Sequence, residues 1–345
     1  MTTTVVRRLS VAALGLTLVG SLAACGSSSS SSSAPAASGA AGASQAAGGA
    51  TTTVKMGLEP WIGYAPWFIA QDQGCFNKNG LNVEITTFKT DADRNAAIVA
   101  GQSDVSNIDT GGVIRFAAKD QPVVPILLED DSRGADAILA SPDITSAKDL
   151  VGKDVAYEFG TTSDLLLHEY LKKNNIDPKT VNSVNAPAAD AGTLLIAGKA
   201  PAAVTYEPYI SAATQGDNAS KAKVLYSSAD APGLISDWLV ANKDWLANNG
   251  AAVKALVKCW DEAVAYYASN PKEATAIMAK GTGVANPDDL TSTLAGVHYY
   301  SVAENKKDVG DGSIASWVKN AGEVMTGMGQ VSAPVELTVS TDYFN

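Results

Sequence analysis

The stretch from Val54 to Ile85, VKMGLEPWIGYAPWFIAQDQGCFNKNGLNVEI, reads as strand, loop, helix, turn and strand. A strand that returns through a helix to a second strand commits the chain to an α/β design. Val54-Lys55-Met56-Gly57-Leu58 is a short strand that leaves on the loop Glu59-Pro60-Trp61-Ile62-Gly63. A helix is predicted from about Tyr64, with Pro66 in its first turn, where a missing N–H costs nothing. It carries Trp67, Phe68, Ile69 and Ala70 and stops at Gly74, a residue that accepts the left-handed conformation helix ends favour. Gly80-Leu81 then turns the chain into the alternating strand of Val83 and Ile85. In open α/β sheets ligands bind at the loops leaving the carboxyl ends of strands. Glu59, Trp61 and Tyr64 sit on or beside such a loop, so two aromatics and a carboxylate form a candidate pocket wall.

The N-terminus reads as a targeting segment. Arg7-Arg8 precede an apolar run from Val11 to Leu22, followed by Ala23-Ala24-Cys25. A basic region, a short apolar run and small residues describe a signal peptide, here 1–24. The run is too short and too rich in small residues for a membrane span. Leu22-Ala23-Ala24-Cys25 resembles the bacterial lipobox, in which the Cys becomes the lipidated first residue of the mature chain. An ordinary signal cut near Ala24 is the alternative, and Arg7-Arg8 also admits a weak twin-arginine reading. Residues 25–52 are almost wholly Ser, Ala, Gly and Thr, a composition that cannot offset its ordering entropy and so forms a flexible leash. Together these predict a protein exported and held at the outer face of the cytoplasmic membrane.

About 290 residues remain, enough for a sizeable core. Removing Arg7 and Arg8 takes the formal net charge from −11 to −13, which disfavours nucleic acid as a partner. Cys75 and Cys259 could form a disulfide in an oxidising compartment. Each lies in an apolar helical context, however, and two buried thiols is the preferred expectation. Catalysis finds little support. His168 follows Ser163 on one predicted helix and His298 falls in a predicted helical tail, so neither is presented to a nucleophile. There is no metal-type Cys/His spacing and no phosphate loop, so neither a metal nor a cofactor is expected.

The alternation continues along the chain. A helix is predicted over Ala92 to Ala100, a strand over Asp104 to Ile108, then the loop Asp109-Thr110-Gly111-Gly112 opening a helix to Ala118. A strand from Val123 to Leu128 runs into Glu129-Asp130-Asp131-Ser132-Arg133 and is followed by the strand Ala135 to Ala140. A second module follows, with Val155-Ala156-Tyr157 leading to Glu158-Phe159-Gly160-Thr161-Thr162-Ser163, and Ala202 to Thr205 emerging on Tyr206-Glu207-Pro208-Tyr209. From Asp244 the chain reads as mainly helical. Helices of this length between strands predict largely parallel sheets.

This order of segments resembles the nitrate/sulfonate/taurine-type substrate-binding proteins of ABC importers, a group that also includes thiamine-pyrimidine-precursor binders. The resemblance rests on Gly63-Tyr64-Ala65-Pro66 with Gly74-Cys75-Phe76, on Gly80 to Glu84, and on Ala100-Gly101-Gln102-Ser103-Asp104-Val105. It rests further on Lys148 to Ala156, Gly160-Thr161-Thr162-Ser163 and Glu207-Pro208-Tyr209. It implies the two-lobed periplasmic-binding-protein fold of type II, with a ligand cleft between α/β lobes, two hinge crossings and a helical C-terminal tail. The crossings would fall near Gly134 to Leu139 and Ser236 to Val240. Lobe 1 would comprise 53–133 plus 241–345, and 134–240 would form lobe 2 with the hinge segments. The implied partners are a small-molecule ligand, an ABC permease and its ATPase, with the membrane reached through the lipid anchor and the protein itself a monomer. A receptor-coupled sensor and a surface-anchored enzyme are the rival readings.

The candidate ligand residues are Glu59, Trp61, Tyr64, Asp109, Thr110, Glu158, Thr161, Thr162, Ser163, Tyr206, Glu207 and Trp238. Several have equally good structural roles: Asp109 and Thr161-Thr162-Ser163 as helix caps, Glu207 pairing near a hinge, Trp238 packing there. Asp130 and Asp131 are expected to be solvated or paired with Arg133, the main positive counterweight to the loops' carboxylates. Carboxylates beside aromatic faces suit an amine, a guanidine-like group or a zwitterionic nitrogen compound. A sulfonate such as taurine, nitrate or a thiamine pyrimidine precursor are the alternatives, and the first two would meet repulsion.

Overall fold

The computed structural model describes residues 51–345; the signal peptide, Cys25 and nearly all of the leash lie outside the described residues. Among the described residues eleven strands form two sheets. They are β1 (Thr52–Leu58), β2 (Leu81–Thr87), β3 (Val105–Asp109), β4 (Val123–Ser132), β5 (Asp136–Ala140), β6 (Asp154–Tyr157), β7 (Asn182–Asn185), β8 (Ala202–Tyr206), β9 (Lys223–Ser227), β10 (Ser236–Asn242) and β11 (Val297–Tyr299). The first sheet has the order β11-β4-β10-β3-β1-β2 and the second β7-β6-β8-β5-β9. Between the strands run α1 (Pro66–Asp72), α2 (Cys75–Lys78), α3 (Asp91–Val99), α4 (Thr110–Ala118), α5 (Thr162–Lys173), α6 (Ala188–Ile196) and α7 (Tyr209–Thr214). The tail adds α8 (Lys243–Ser269), α9 (Pro271–Thr282), α10 (Pro287–Leu294), α11 (Val302–Gly310) and α12 (Ser313–Gly327).

The strand-loop-helix-turn-strand unit forms as its residues dictate. Pro66 opens α1, Gly74 takes a left-handed φ of 67° after it, and β1 pairs parallel with β2. Trp67 is fully buried on that helix, with its ring 5.0 Å from Trp260 of α8 and 6.2 Å from Phe76. Phe68 is partly buried against the same core.

The sheets are mixed rather than largely parallel. β1 pairs parallel with β2 and β3, but β10 runs antiparallel to both β3 and β4, and β5 antiparallel to β8 and β9. The reversal follows from the crossings. A chain that leaves one sheet and re-enters it from the other arrives running the opposite way. The crossings themselves are shorter than the sequence suggests. Asp136–Ala140 is a central strand of the second sheet, and Ser236–Asn242 is a central strand of the first, not part of a second lobe or a hinge. What passes between sheets is 133–135 on one side and the short run before Ser236 on the other. Hydroxyls lace these segments: Ser132 Oγ and Ser228 Oγ lie 2.7 Å apart, and Gly134 N donates to Ser228 Oγ at 2.8 Å. The tail also departs from a purely helical reading, because His298 lies in β11, beside β4, with Nε2 3.0 Å from Glu304 Oε1.

Cys75 and Cys259 form a disulfide between the start of α2 and the middle of α8. The expectation of two thiols is therefore corrected. An apolar helical setting describes both a buried thiol and a buried half-cystine; what decides is that α2 and α8 pack together, which no local window reveals.

The bridge closes a span of 184 residues, and loss of such a link typically destabilises by about 2–4 kcal/mol. Replacing both cysteines with Ser should lower the melting temperature without changing the far-ultraviolet circular dichroism. Peptide mapping of the unreduced protein should recover the Cys75 and Cys259 peptides joined.

Candidate functional site

The loop after β1, the starts of α3 and α5, and the meeting ends of β3, β5, β8 and β10 line one cavity. Its walls are Glu59, Trp61, Tyr64, Asp91, Arg94, Asp109, Asp136, Thr162, Tyr206, Ile235 and Asp237. Residues from both sheets contribute, since Asp136 and Tyr206 belong to the second sheet and Asp109 and Asp237 to the first. The cavity measures about 30 Å³, room for one or two waters.

Three adjacent strands place an aspartate in the same register. Asp237 of β10 lies opposite Asp109 of β3 on one side and opposite Asp130 of β4 on the other. Directly opposed like charges destabilise a sheet, so this rung needs hydrogen-bond donors, protons or a cation. Part of the need is met locally. Tyr64 donates its hydroxyl to Asp237 Oδ1 at 2.6 Å, Trp61 Nε1 donates to Asp130 Oδ1 at 3.3 Å, and Gly112 N donates to Asp109 Oδ1 at 2.9 Å, capping α4. Behind the rung Glu129 is fully buried, held by Trp67 Nε1 at 2.8 Å and by Asn107 Nδ2 at 2.7 Å from each oxygen.

Arg94 is the cation that the cavity carries. It is 2% exposed on the inner face of α3, in line with Ala97 and Ile98. Its guanidinium reaches Asp91, Glu59 Oε2 at 3.4 Å and Asp109 Oδ2 at 3.7 Å. Desolvation works against that charge, but Asp91 and Glu59 outweigh it and hold the group protonated. Against this one cation stand five carboxylates in the lining: Glu59, Asp91, Asp109, Asp136 and Asp237. Burial pushes the Glu59 carboxyl up to about 8, that of Asp237 to about 8 and that of Asp136 to about 7. Burial likewise raises Asp130 well above the usual carboxylate range, with Asp237 and Glu129 adding to it. Glu59 Oε1, Asp109 Oδ2, Asp130 Oδ2 and Asp136 Oδ2 are buried without a hydrogen-bond partner. Buried acceptors left open in this way are ready for N–H donors.

The match to known proteins agrees with the fold. Residues 61–274 match the family described as NMT1/THI5 like. The chain belongs to that family. A putative binding protein of Brucella abortus (strain 2308) is 23% identical over 78% of this chain and 83% of its own. The taurine-binding periplasmic protein of Escherichia coli (strain K12) is 25% identical over 60% of this chain and 64% of its own. The fold is that of the periplasmic aliphatic sulphonate binding protein SsuA from Escherichia coli, with a TM-score of 0.69 at 20% identity, covering 85% of this chain and 99% of that one. This NMT1/THI5-like chain shares its fold with a periplasmic binding protein, and the curated relatives it matches are binding proteins rather than enzymes.

Within this family member the structure brings six of the twelve predicted residues to the cavity: Glu59, Trp61, Tyr64, Asp109, Thr162 and Tyr206. The others take different posts. Thr110 is buried and accepts from Trp238 Nε1 at 2.8 Å, which places Trp238 in the core rather than against ligand. Glu207 accepts from Ser211 N at 3.0 Å at the start of α7. Thr161 is the N-cap of α5, its hydroxyl donating to Glu158 O at 2.9 Å. Ser163 is buried behind it, and Glu158 stands half-buried outside the lining. Two electrostatic expectations are corrected. Asp130 is fully buried under Trp61 instead of solvated, and the cavity's cation is Arg94, not Arg133, which is half-exposed and binds Asp131 at 2.9 Å. Sequence reasoning missed Asp91, Arg94, Asp136, Ile235 and Asp237. An arginine on the apolar stripe with Ala97 and Ile98 was the available signal for Arg94, and a carboxylate inside an apolar strand was the one for Asp136.

Carboxyls raised by burial bind protons more tightly in the fold than in the unfolded chain. Stability should therefore fall as pH rises from about 4 to about 8, and be unaffected by these groups below that window. Asp136→Asn should flatten the slope by roughly 4 kcal/mol across it, about 1.4 kcal/mol per unit of displaced pKa, read from urea melts at successive pH values. Gly63 gives a second check. A Cβ there would collide with the Trp61 indole nitrogen and the Asp130 carboxylate, so Gly63→Ala should shift Trp fluorescence and lower the melting temperature.

Proposed function

We propose that the protein captures a small organic cation with N–H donors, an amine or guanidine-like nitrogen compound, and delivers it to an ABC permease and its ATPase. It would do so from a tether at the outer face of the membrane, through a lipid on Cys25. One observation carries the ligand class: a cavity lined by five carboxylates, flanked by the opposed aspartates of three strands, with a single guanidinium already shared among three of them. A free sulfonate or nitrate entering this cavity meets net negative charge. A cation meets open acceptor oxygens on Asp136, Asp109 and Glu59, with the rings of Trp61, Tyr64 and Tyr206 beside them. Because Glu59, Asp136 and Asp237 hold protons near neutrality when buried, a cation entering would displace them. Binding would then tighten as pH rises.

A second reading, an amino-sulfonate, draws on the ligands named for two Escherichia coli relatives, the taurine-binding protein and the putative aliphatic sulfonates-binding protein. Arg94 Nε, buried and without a hydrogen-bond partner, gives it some chemical support. The ammonium end would still face the aspartates.

The test is a thermal-shift panel of amines, guanidines, amino-sulfonates, alkanesulfonates, nitrate and aminopyrimidines. A cation at one hundred times its dissociation constant adds about 2.7 kcal/mol to the folded state. Methylguanidinium or a simple amine should raise the melting temperature, more so at pH 8 than at pH 6, and Asp237→Asn should abolish the effect. Stabilisation by alkanesulfonates alone would overturn the cationic reading.

A further inference from the structure

The lining carboxylates fall into two groups that differ in who neutralises them. Glu59, Asp91 and Asp109 surround Arg94. Asp136 and Asp237 have no such partner: among the described residues no ion pair reaches either. Their positions in the fold are particular. Asp136 is the first residue of β5, immediately after the crossing 133–135; Asp237 is the second residue of β10, immediately after the return crossing. One belongs to each sheet, yet both line the same small cavity, where each is nearly inaccessible to water. Asp136 is also among the charges that act on Asp237. Asp136 Oδ2 has no hydrogen-bond partner, although the Ser132 and Thr162 side chains assist that carboxyl, and Asp237 has the Tyr64 hydroxyl.

We infer that Asp136 and Asp237 form an electrostatic latch between the two sheets, and that the cationic nitrogen of the ligand closes it by bridging them. This rests on the cationic reading of the same cavity. Two carboxylates brought together from opposite sides of a hinge repel when both are ionised, and wetting the cleft lets both ionise. Closure therefore requires protons or a cation between them. A ligand that supplies the charge shifts the population by its preference for the closed form, which is how a binding protein reports occupancy. Arg94 does not substitute, because its guanidinium is held by the other group.

From the first sheet and its helices, Asp109, Asp130, Glu59, Asp91, Arg94, Arg115 and Tyr64 face the pair or each other; from the second, Tyr206, Glu158 and Glu207 do. Of these only Arg94 and Arg115 are basic, and both are engaged with Asp109.

Small-angle X-ray scattering on the ligand-free protein tests the latch without knowledge of the natural ligand. The radius of gyration should grow as pH rises from about 5 to about 9, the closed-to-open ratio falling roughly tenfold per pH unit for each proton taken up on closing. The Asp136→Asn, Asp237→Asn double variant should stay closed throughout, and each single variant should lose part of the response. Methylguanidinium at pH 9 should return the wild type to its compact form and leave the double variant, already compact, unchanged. A wild-type radius independent of pH, or a double variant that opens as the wild type does, overturns the latch. If methylguanidinium stabilises the protein without compacting it, the latch fails while the cationic ligand class stands. If pH closes the protein but no cation of the thermal-shift panel does, the bridge is overturned together with that class.

Discussion

The cost of removing carboxylates from water governs this molecule. An ionised acid buried alone loses several kcal/mol, and the usual outcome is a partner or a proton. Here Asp109, Asp237 and Asp130 occupy one register across three neighbouring strands, with Glu129 directly behind and Asp136 entering from the second sheet. The neighbourhood is built to tolerate this. Trp61, Tyr64 and Trp67 each spend their one donor on an acid, and Asn107 spends its amide on Glu129. The loop Glu59 to Tyr64 is therefore fixed by the acids as much as the acids are satisfied by the loop. Gly63 stands where any larger residue would break that fit. Such an arrangement lowers stability relative to an apolar core.

Much of the architecture was legible because the relevant signals are local. The loop between β1 and α1 announced itself through Pro66, Gly74 and a pair of aromatics in a polar setting, and the structure puts both of those aromatics on the cavity. Asp109 could be read as a cap, and it is one, with its second oxygen left for the cavity. What could not be read depends on register between distant segments. Asp237 matters because Asp109 and Asp130 sit beside it, and those partners are 128 and 107 residues away in sequence. Asp130 looked solvated because it lies in a run of charges, whereas the strand β4 carries that run into the interior. Trp238 looked like a hinge or ligand aromatic from its neighbours alone; the strand's alternation sends Asp237 to the cavity and Trp238 to the opposite face. Cys75 and Cys259 pose the same problem, since pairing is a fact about two helices and not about either.

Sharing a fold with sulfonate-binding proteins constrains where a ligand sits far more than what it is. At 20% identity the fold persists. The charge of the cleft is set by a few side chains at strand ends, positions that the core does not police. Asp136 and Asp237 are of this kind. Asp136 opens β5 and Asp237 is second in β10, and the residues that follow them are apolar except for the terminal Asn242, so the carboxylate could be exchanged without disturbing the packing that follows it. Arg94 is different, because its burial on α3 ties the helix to three acids at once and makes it part of the fold as well as of the site.

The disulfide has a topological meaning beyond its strength. It joins the chain before the first crossing to the chain after the second. Every residue of the five-stranded sheet thus lies within a covalent ring closed inside the six-stranded one. A protease that cuts an exposed loop of the second sheet would not release a fragment: the two pieces would remain joined, with each end still anchored in the first sheet. The whole of the second sheet is thus on a closed loop rather than at the end of a thread.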